Sequence, residues 1–245
     1  MPSRAKQAKP DKVLIAALRG ALQAASDPSK AGPMQAYVKS KLPCLGVQRG
    51  ALSKALHPIL RSHSITDAPT WRATILTLFK QASYREHWYA GLELLAWRAY
   101  KKWLTPEATE LCEALIVHGA WWDITDEVAT RRLGPMVALY RSEMTPVMRS
   151  WASDSNPWKR RSSILVQLKH KQQTDLNLLS HAIEQNLRDK DFFLRKAIGW
   201  ALREFARTDP DWVISFIEQH NSEISNLSRR EALRHLCKEG RALHL

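Results

Sequence analysis

DFFLRKAIGWALREFAR, residues 191–207, has the spacing of an amphipathic α-helix. When the residues are placed 100° apart, the bulky apolar side chains fall on one face. They are Leu194, Ile198, Leu202 and Phe205, with Ala201 beside them. Asp191 stands where a residue that caps the helix N-terminus is expected. The stretch therefore predicts a helix that begins after Asp191 and buries one face in a core.

The same helical spacing recurs along the chain in residues 13–22, 164–168 and 232–237, and no run alternates as a strand does. Further helix starts are marked by capping residues, which are Thr105, Asn156, Asp175, Asp209, and Ser228 with Glu231 as a capping box. The later starts recur about every 15–20 residues, so that two helices span roughly 35–40 residues. This period predicts an all-α fold, an α-solenoid of HEAT-like helical repeats with a concave binding groove.

The composition is that of a globular protein. The chain has 245 residues, of which 44% are hydrophobic and 25% are charged, and these values exclude a disordered or fibrous chain. We expect a loose basic arm over residues 1–10 and a single domain over residues 11–245. Three distant cysteines predict neither a disulfide framework nor a metal site. The longest early apolar stretch is too short to span a bilayer, so a soluble, cytoplasmic protein is expected.

A formal net charge of +13 indicates a polyanionic partner, with nucleic acid favoured over an anionic membrane. Residues 156–208 hold eleven Lys and Arg against five Asp and Glu, a net charge of +6. No helix joins a cationic face to exposed bulky apolar side chains, as helices at membrane surfaces do. The segment therefore predicts a basic surface that binds nucleic acid.

Two residues of this segment break the pattern of their helices. Trp200 lies about 120° from the apolar face, between the cationic residues Lys196 and Arg203. An indole beside cations suits nucleic acid, and packing against a neighbouring repeat explains it equally well. Arg161 lies in the apolar sector of its helix, where a buried guanidinium needs a partner. That partner is either an internal carboxylate or a phosphate held in a groove.

The densest cluster of polar and aromatic residues is HGAWWDITD, residues 118–126. Trp122 and Asp126 are four residues apart and share one helical face. A carboxylate beside an indole can stabilise a developing cation or orient a water molecule where bulk water is partly excluded. The alternative is that Asp123 or Asp126 caps a helix.

Taken together, these stretches resemble the AlkD-type DNA alkylation repair glycosylases over about residues 31–236. The matching motifs are PMQAYVK (33–39), LGVQ (45–48), WWDITD (121–126), RSSILVQLK (161–169), FFLRKAIGWALRE (192–204) and LSRREA (227–232). The resemblance implies HEAT-like repeats and a monofunctional glycosylase that removes positively charged N3- and N7-alkylated purines from duplex DNA. Such purines include 3-methyladenine and 7-methylguanine.

The resemblance also implies roles for individual residues. Asp126 falls on the catalytic aspartate, which stabilises an oxocarbenium-like sugar, and Trp122 and Trp200 fall on its flanking tryptophans. DNA-binding positions fall on Arg161, Tyr37 and Gln48, and we add Lys196 and Arg203 from the cationic face. The chain departs from the family in residues 49–52 and at His87 and Trp88.

The resemblance implies no cofactor and no metal, and the expected partner is double-stranded DNA that contains alkylated bases. We expect no membrane partner, a monomer, and a location in the bacterial cytoplasm. The alternative is a non-catalytic nucleic-acid-binding protein built from the same repeats.

Overall fold

The computed structural model describes residues 8–238 and residue 240, and the described chain falls into two compact units, residues 1–104 and 105–245. We call them the N-terminal and the C-terminal unit. Of the basic arm expected over residues 1–10, residues 1–7 lie outside the described residues. The expectation of one domain over residues 11–245 stays a prediction.

Over its described residues, 8–104, the N-terminal unit consists of five α-helices followed by a short 3-10 helix. The α-helices are α1 (Lys12–Ala24), α2 (Pro28–Tyr37), α3 (Arg49–Ser62), α4 (Ala68–Lys80) and α5 (Arg85–Ala96), and the 3-10 helix is Arg98–Trp103. Helix α1 packs against α3, and α4 packs against α5. Helices α1, α3, α4 and α5 each contribute buried side chains to the core, as Leu14, Leu18 and Leu22 do from α1, whereas α2 buries none.

The C-terminal unit consists of nine α-helices among its described residues. They are α6 (Thr109–Gly119), α7 (Trp122–Val128), α8 (Gly134–Leu139), α9 (Arg141–Ala152), α10 (Pro157–Leu165), α11 (Leu176–Glu184), α12 (Phe192–Phe205), α13 (Pro210–Gln219) and α14 (Asn226–Lys238). Short 3-10 turns cover Pro106–Ala108 and Lys171–Gln173, and a π-helical turn covers Ala129–Leu133. No strand occurs within residues 8–238, and helices pack in succession as in helical repeats, so the all-α, α-solenoid prediction is confirmed.

Capping residues fix the helix starts of the C-terminal unit as the sequence predicts. The side chain of Asp191 accepts a hydrogen bond from the backbone N–H of Leu194. Asn156, Asp175 and Asp209 cap α10, α11 and α13 in the same way. Thr105 precedes a 3-10 turn and makes no capping bond to the backbone.

The capping box predicted for Ser228 and Glu231 is wrong. Helix α14 begins at Asn226, and Ser225 Oγ accepts the hydrogen bond from the Ser228 backbone N–H at 3.0 Å. Ser228 Oγ instead donates to the carbonyl of Arg195 on α12. Glu231 turns toward α12 because two cations there attract its carboxylate. The pattern places a cap three residues late because tertiary partners compete for both side chains.

Helices α12 and α14 make the most extensive contact between described elements of the C-terminal unit. A Cβ at Gly199 would lie 2.8 Å from the carbonyl oxygen of Ser228 and 2.5 Å from Cβ of Glu231. Only glycine permits this approach of the two backbones without displacement. The contact fixes Glu231 of α14 against the outward face of α12.

A buried carboxylate organises the N-terminal unit. Glu86 is fully buried at the start of α5, and its two oxygens accept hydrogen bonds from the backbone N–H groups of residues 45, 46 and 47. Gly46 has φ +83°, and a Cβ there would meet the carbonyl oxygen of Asp27 at 2.0 Å. Glu86 therefore holds the loop that leads into α3.

The described helices include none that is both long and apolar enough to cross a membrane.

Candidate active site

Helix α7 places Trp122 and Asp126 on one face, one turn apart. Ala120, between α6 and α7, has φ 34° in the left-handed region, which L-residues other than glycine, Asn and Asp rarely adopt. Trp121 then occupies the N-cap position in an extended conformation and makes no side-chain capping bond. Neither Asp123 nor Asp126 is the N-cap of α7, so the capping alternative does not hold for either carboxylate at this helix.

Asp126 and Arg161 form a two-point ion pair between α7 and α10. Arg161 Nε donates to Asp126 Oδ1 at 2.7 Å, and Arg161 Nη2 donates to Oδ2 at 2.8 Å. The remaining terminal nitrogen, Nη1, donates to the backbone carbonyl of Phe193 at the start of α12. The structure thus gives Arg161 an internal carboxylate as its partner, and that carboxylate belongs to the candidate catalytic aspartate.

The two side chains of the pair differ in their access to solvent. The side chain of Arg161 is 6% exposed, whereas that of Asp126 is 15% exposed. Burial raises the pKa of the Asp126 carboxyl above its ordinary value; the Arg161 guanidinium opposes this rise, and the nearby Asp123 charge adds to it. Asp126 is therefore the end of the pair that another molecule can reach.

Arg161 leaves part of the hydrogen-bonding capacity of Asp126 unused. An ionised carboxylate has about four acceptor sites on its two oxygens. Arg161 occupies one site on each oxygen. The other sites can accept from a water molecule, while the guanidinium keeps the carboxylate in one orientation.

An aromatic cluster lies behind the ion pair, and the sequence patterns do not single it out. The rings of Trp121, Trp158 and Phe193 lie 5.0–5.8 Å apart between centroids. Trp121 precedes α7, Trp158 is one turn before Arg161 on α10, and Phe193 accepts the Arg161 hydrogen bond. The cluster ties together the three helices that carry the candidate residues.

Trp122 and Trp200 are both partly exposed. Trp122 is on α7, one turn before Asp126. Trp200 is on α12, two turns after Phe193, and its ring packs partly against the hydrophobic core of the C-terminal unit. Both indoles are therefore partly accessible to another molecule, as aromatic side chains in surfaces that contact nucleic acid are.

Lys196 and Arg203, predicted to bind DNA, share one partner on α14. Glu231 Oε1 lies 2.9 Å from Lys196 Nζ, and Glu231 Oε2 lies 2.5 Å from Arg203 Nη1. Both cations lie on the face of α12 that also holds Trp200. Sequence reasoning missed Glu231 as the residue that balances this face.

Most cations of residues 156–208 are balanced in the same way. Lys159 pairs with Glu113 and Asp154, and Arg160 pairs with Asp189. Arg188 and Arg207 pair with Glu223 and Glu204. Several of these acids lie outside the segment, so its net charge of +6 does not correspond to an unpaired cationic surface. Among described residues, the cations of the segment without a carboxylate at ion-pair distance are Lys169, Lys171, Lys190 and Arg195, and Arg195 Nε donates to the backbone carbonyl of Asp189.

Tyr37 and Gln48 belong to the N-terminal unit. Tyr37 is 74% exposed at the end of α2, and Gln48 is exposed at the N-cap of α3. The divergent residues 49–52 form the first turn of α3. His87 is buried next to Glu86, so its departure from the family pattern falls in a core rather than on a surface.

No group of three or more potential metal ligands occurs among the described residues. A model of the DNA alkylation repair enzyme family matches residues 18–236. This chain belongs to that family. The match spans all of the candidate site residues named above, from Tyr37 to Arg203.

Among solved structures, the chain is similar to one described as a predicted DNA alkylation repair enzyme from Enterococcus faecalis. The sequence identity is 28% and the TM-score is 0.74, and the alignment covers 87% of this chain and 97% of the other. No curated protein matches the chain.

Proposed function

We propose that this member of the DNA alkylation repair enzyme family is a monofunctional DNA glycosylase for positively charged N3- and N7-alkylated purines. The observation that carries the proposal is the Asp126 carboxylate, which Arg161 orients and which keeps a small solvent-exposed edge. Such a group is suited to a reaction in which positive charge develops on the substrate.

The reaction needs few catalytic groups from the protein. Alkylation at N3 or N7 gives the purine a positive charge, which weakens its bond to the sugar and lets the base leave without protonation. The charge then passes to the deoxyribose in an oxocarbenium-like transition state. Asp126 stabilises that cation and accepts a hydrogen bond from the attacking water, whose oxygen bonds to C1′ as the N-glycosidic bond breaks; the bonding electrons leave with the now neutral purine, and the water gives up one proton through the Asp126 carboxylate to solvent. The product is an abasic site and a free purine.

Arg161 has a positioning role in this proposal. Its three hydrogen bonds fix the carboxylate between α7 and the start of α12 and favour the ionised form of Asp126. Contact of Arg161 with a DNA phosphate stays a prediction. Its 6% exposure means that such a contact requires a rearrangement of the pair.

Trp122 and Trp200 supply apolar surface around the reacting sugar. A partly exposed indole beside a carboxylate, as Trp122 is one helical turn from Asp126, lowers the local dielectric, and this strengthens the attraction between Asp126 and a cation. Both indoles also offer flat faces to the DNA. Neutral purines should be poor substrates, because their leaving groups lack the charge that weakens the bond.

The direct test is the release of free 7-methylguanine and 3-methyladenine from methylated duplex DNA, measured by chromatography. We expect release by the wild-type protein without added metal or cofactor. The matched substrate is the same duplex without methylation. Binding to both duplexes without release of either base would contradict the proposal and favour a non-catalytic nucleic-acid-binding protein.

A further inference from the structure

We propose that the N-terminal unit carries a separate nucleic-acid-binding surface, formed by Lys54, Arg61, Arg98, Lys101 and Lys102, which binds the DNA phosphate backbone. We call it the N-terminal basic surface. It deepens the proposed function by assigning most of the sequence-independent DNA affinity to a part of the chain that lacks Asp126. It therefore rests on DNA as the partner, and not on the excision reaction.

The first argument is the distribution of charge. Residues 1–104 contain 17 Lys and Arg against 5 Asp and Glu, whereas residues 105–245 contain 20 against 19. The net charges are +12 and +1, which account for the total of +13. Nearly all of the excess positive charge thus belongs to the N-terminal unit, and such an excess attracts polyanions.

The second argument is the local geometry that brings these cations together. His57 on α3 bonds Glu93 at 3.0 Å, and its ring lies 5.3 Å from that of Trp97, the residue before the 3-10 helix. Lys54 and Arg61 lie one turn on either side of His57. Arg98 directly follows Trp97, so the exposed edge of α3 adjoins the start of the basic 3-10 helix.

The third argument is that packed aromatic rings lie beneath part of the surface and that no described carboxylate pairs with its cations. Trp103 stacks on Tyr100 at 5.1 Å with an interplanar angle of 4°, and it also contacts the buried Trp71 at 5.6 Å. Lys102 Nζ lies 5.4 Å from the centre of the Trp103 ring. The five cations of the surface are exposed, and within the described part of the chain none has a carboxylate partner.

A set of exposed cations, one of which lies over an aromatic ring, matches the chemistry of nucleic-acid binding. Phosphate contacts release condensed counterions, so that each contact adds about 0.9 to the steepness of log K against log salt. With about five contacts in all, the wild-type slope for undamaged duplex should be roughly −4 to −5.

The test compares two triple variants that remove the same charge. The first is Arg98→Gln, Lys101→Gln and Lys102→Gln in the N-terminal basic surface. The control is Lys169→Gln, Lys171→Gln and Lys190→Gln, three exposed cations of the C-terminal unit that have no carboxylate partner among described residues. Both variants have the same net charge, and binding of an undamaged 25-base-pair duplex is measured by fluorescence anisotropy at several salt concentrations.

We expect the first variant to bind roughly 10- to 100-fold more weakly and to lose about 2–3 from the salt slope, and the control to lose less than about 1. Equal effects of the two variants would overturn the proposal, because net charge alone would then explain binding. An unchanged salt slope in the first variant would overturn it as well. So would a first variant that binds phosphatidylserine vesicles more weakly than the wild type but binds the duplex equally well. Wild-type protein that binds duplex but releases no base would sink the proposed function and leave this inference standing.

Discussion

The two units of the chain balance their charges in different ways. In the C-terminal unit, 20 Lys and Arg meet 19 Asp and Glu, and the cations around the candidate site are held in ion pairs such as Arg161 with Asp126. In the N-terminal unit, 17 Lys and Arg meet 5 acids, so most cations have no acid available. The exposed side chains of Arg98 and Lys101 illustrate this.

Under the two proposals above, this difference corresponds to a division between DNA affinity and catalysis. A unit with a large uncompensated charge attracts the DNA backbone over a distance and without regard to sequence. A unit with internal pairs holds its functional groups in fixed orientations, which catalysis requires. The buried carboxylates of the two units differ accordingly. Glu86 of the N-terminal unit accepts hydrogen bonds from backbone N–H groups, whereas Asp126 accepts hydrogen bonds from a guanidinium and keeps an exposed edge.

The largest expected effect is on the stability of the C-terminal unit. Arg161→Ala removes one partner of a buried ion pair and leaves the Asp126 charge uncompensated, which should cost about 3–5 kcal/mol of unfolding free energy. Urea denaturation followed by circular dichroism measures the change. The matched control is Arg131→Ala, which breaks the half-exposed pair with Glu127 and should cost about 1 kcal/mol or less. Similar losses in the two variants would contradict the structural importance of the buried pair.

The next effect is on the reaction itself. Asp126→Asn keeps the shape of the side chain but removes its charge, so excision of 7-methylguanine should fall roughly 10²–10³-fold. Affinity for DNA should hold or rise slightly, because a carboxylate repels phosphates. Single-turnover excision and duplex binding are measured separately. Asp123→Asn, three residues earlier on α7, is the control and should excise at close to the wild-type rate. Wild-type excision by Asp126→Asn would remove Asp126 from the mechanism.

A smaller effect is a pH dependence of the unfolding free energy, which arises from a histidine in the core of the N-terminal unit. Burial, together with the Arg19 charge, lowers the pKa of His87 from its usual 6.5 to about 4. The folded protein therefore takes up this proton at lower pH than the unfolded chain, and stability present above pH 6.5 is lost as the pH falls toward about 4. The loss should reach about 3 kcal/mol.

The comparison variant is His87→Asn, whose side-chain oxygen can still accept the hydrogen bond from the Ser83 backbone N–H that His87 Nδ1 accepts at 3.2 Å. Unfolding free energies of both proteins are measured between pH 7 and 4. A steeper loss in the wild type than in the variant supports the assignment, and parallel curves count against it.

The smallest expected effect tests whether ion pairs keep the cations of the C-terminal unit from binding DNA. Glu231→Gln should release Lys196 and Arg203 and raise the affinity for undamaged duplex about two- to fivefold at low salt. Glu223→Gln is the control, because it changes the net charge equally and frees the exposed Arg188, with the loss of a contact to His220, but leaves Lys196 and Arg203 paired. If both variants bind alike, Glu231 has no special hold on DNA-binding cations.

Much of the secondary structure could be predicted because it depends on local interactions. Asp191, Asn156 and Asp209 cap helices where their positions in the sequence indicate, since each bonds an N–H two or three residues ahead. The cap predicted at Ser228 is instead made by Ser225, which bonds the N–H three residues ahead in the same local way, and Ser228 Oγ donates to the carbonyl of Arg195, which is distant in the sequence.

The candidate site could be predicted only in part. The sequence showed that Arg161 needs a partner, and helical spacing put Trp122 beside Asp126. Neither pattern identifies the partner, because Asp126 and Arg161 are 35 residues apart and meet only where α7 packs against α10. Counting charges along the chain also predicted an unpaired basic surface in residues 156–208. That prediction fails because acids on other helices, such as Glu113 and Glu231, form ion pairs with cations of this segment.

By itself, the sequence determined the helices, most of their caps, the apolar faces, the total charge and the family resemblance, because all of these depend on residue type and on spacing within a few turns. Only the tertiary structure decided which cations are neutralised and which remain free. An ion pair depends on distances of a few ångströms between side chains, and helix packing sets those distances. That is why Arg161 is a buried partner of Asp126, whereas Arg98 and its neighbours face solvent unpaired in the described chain.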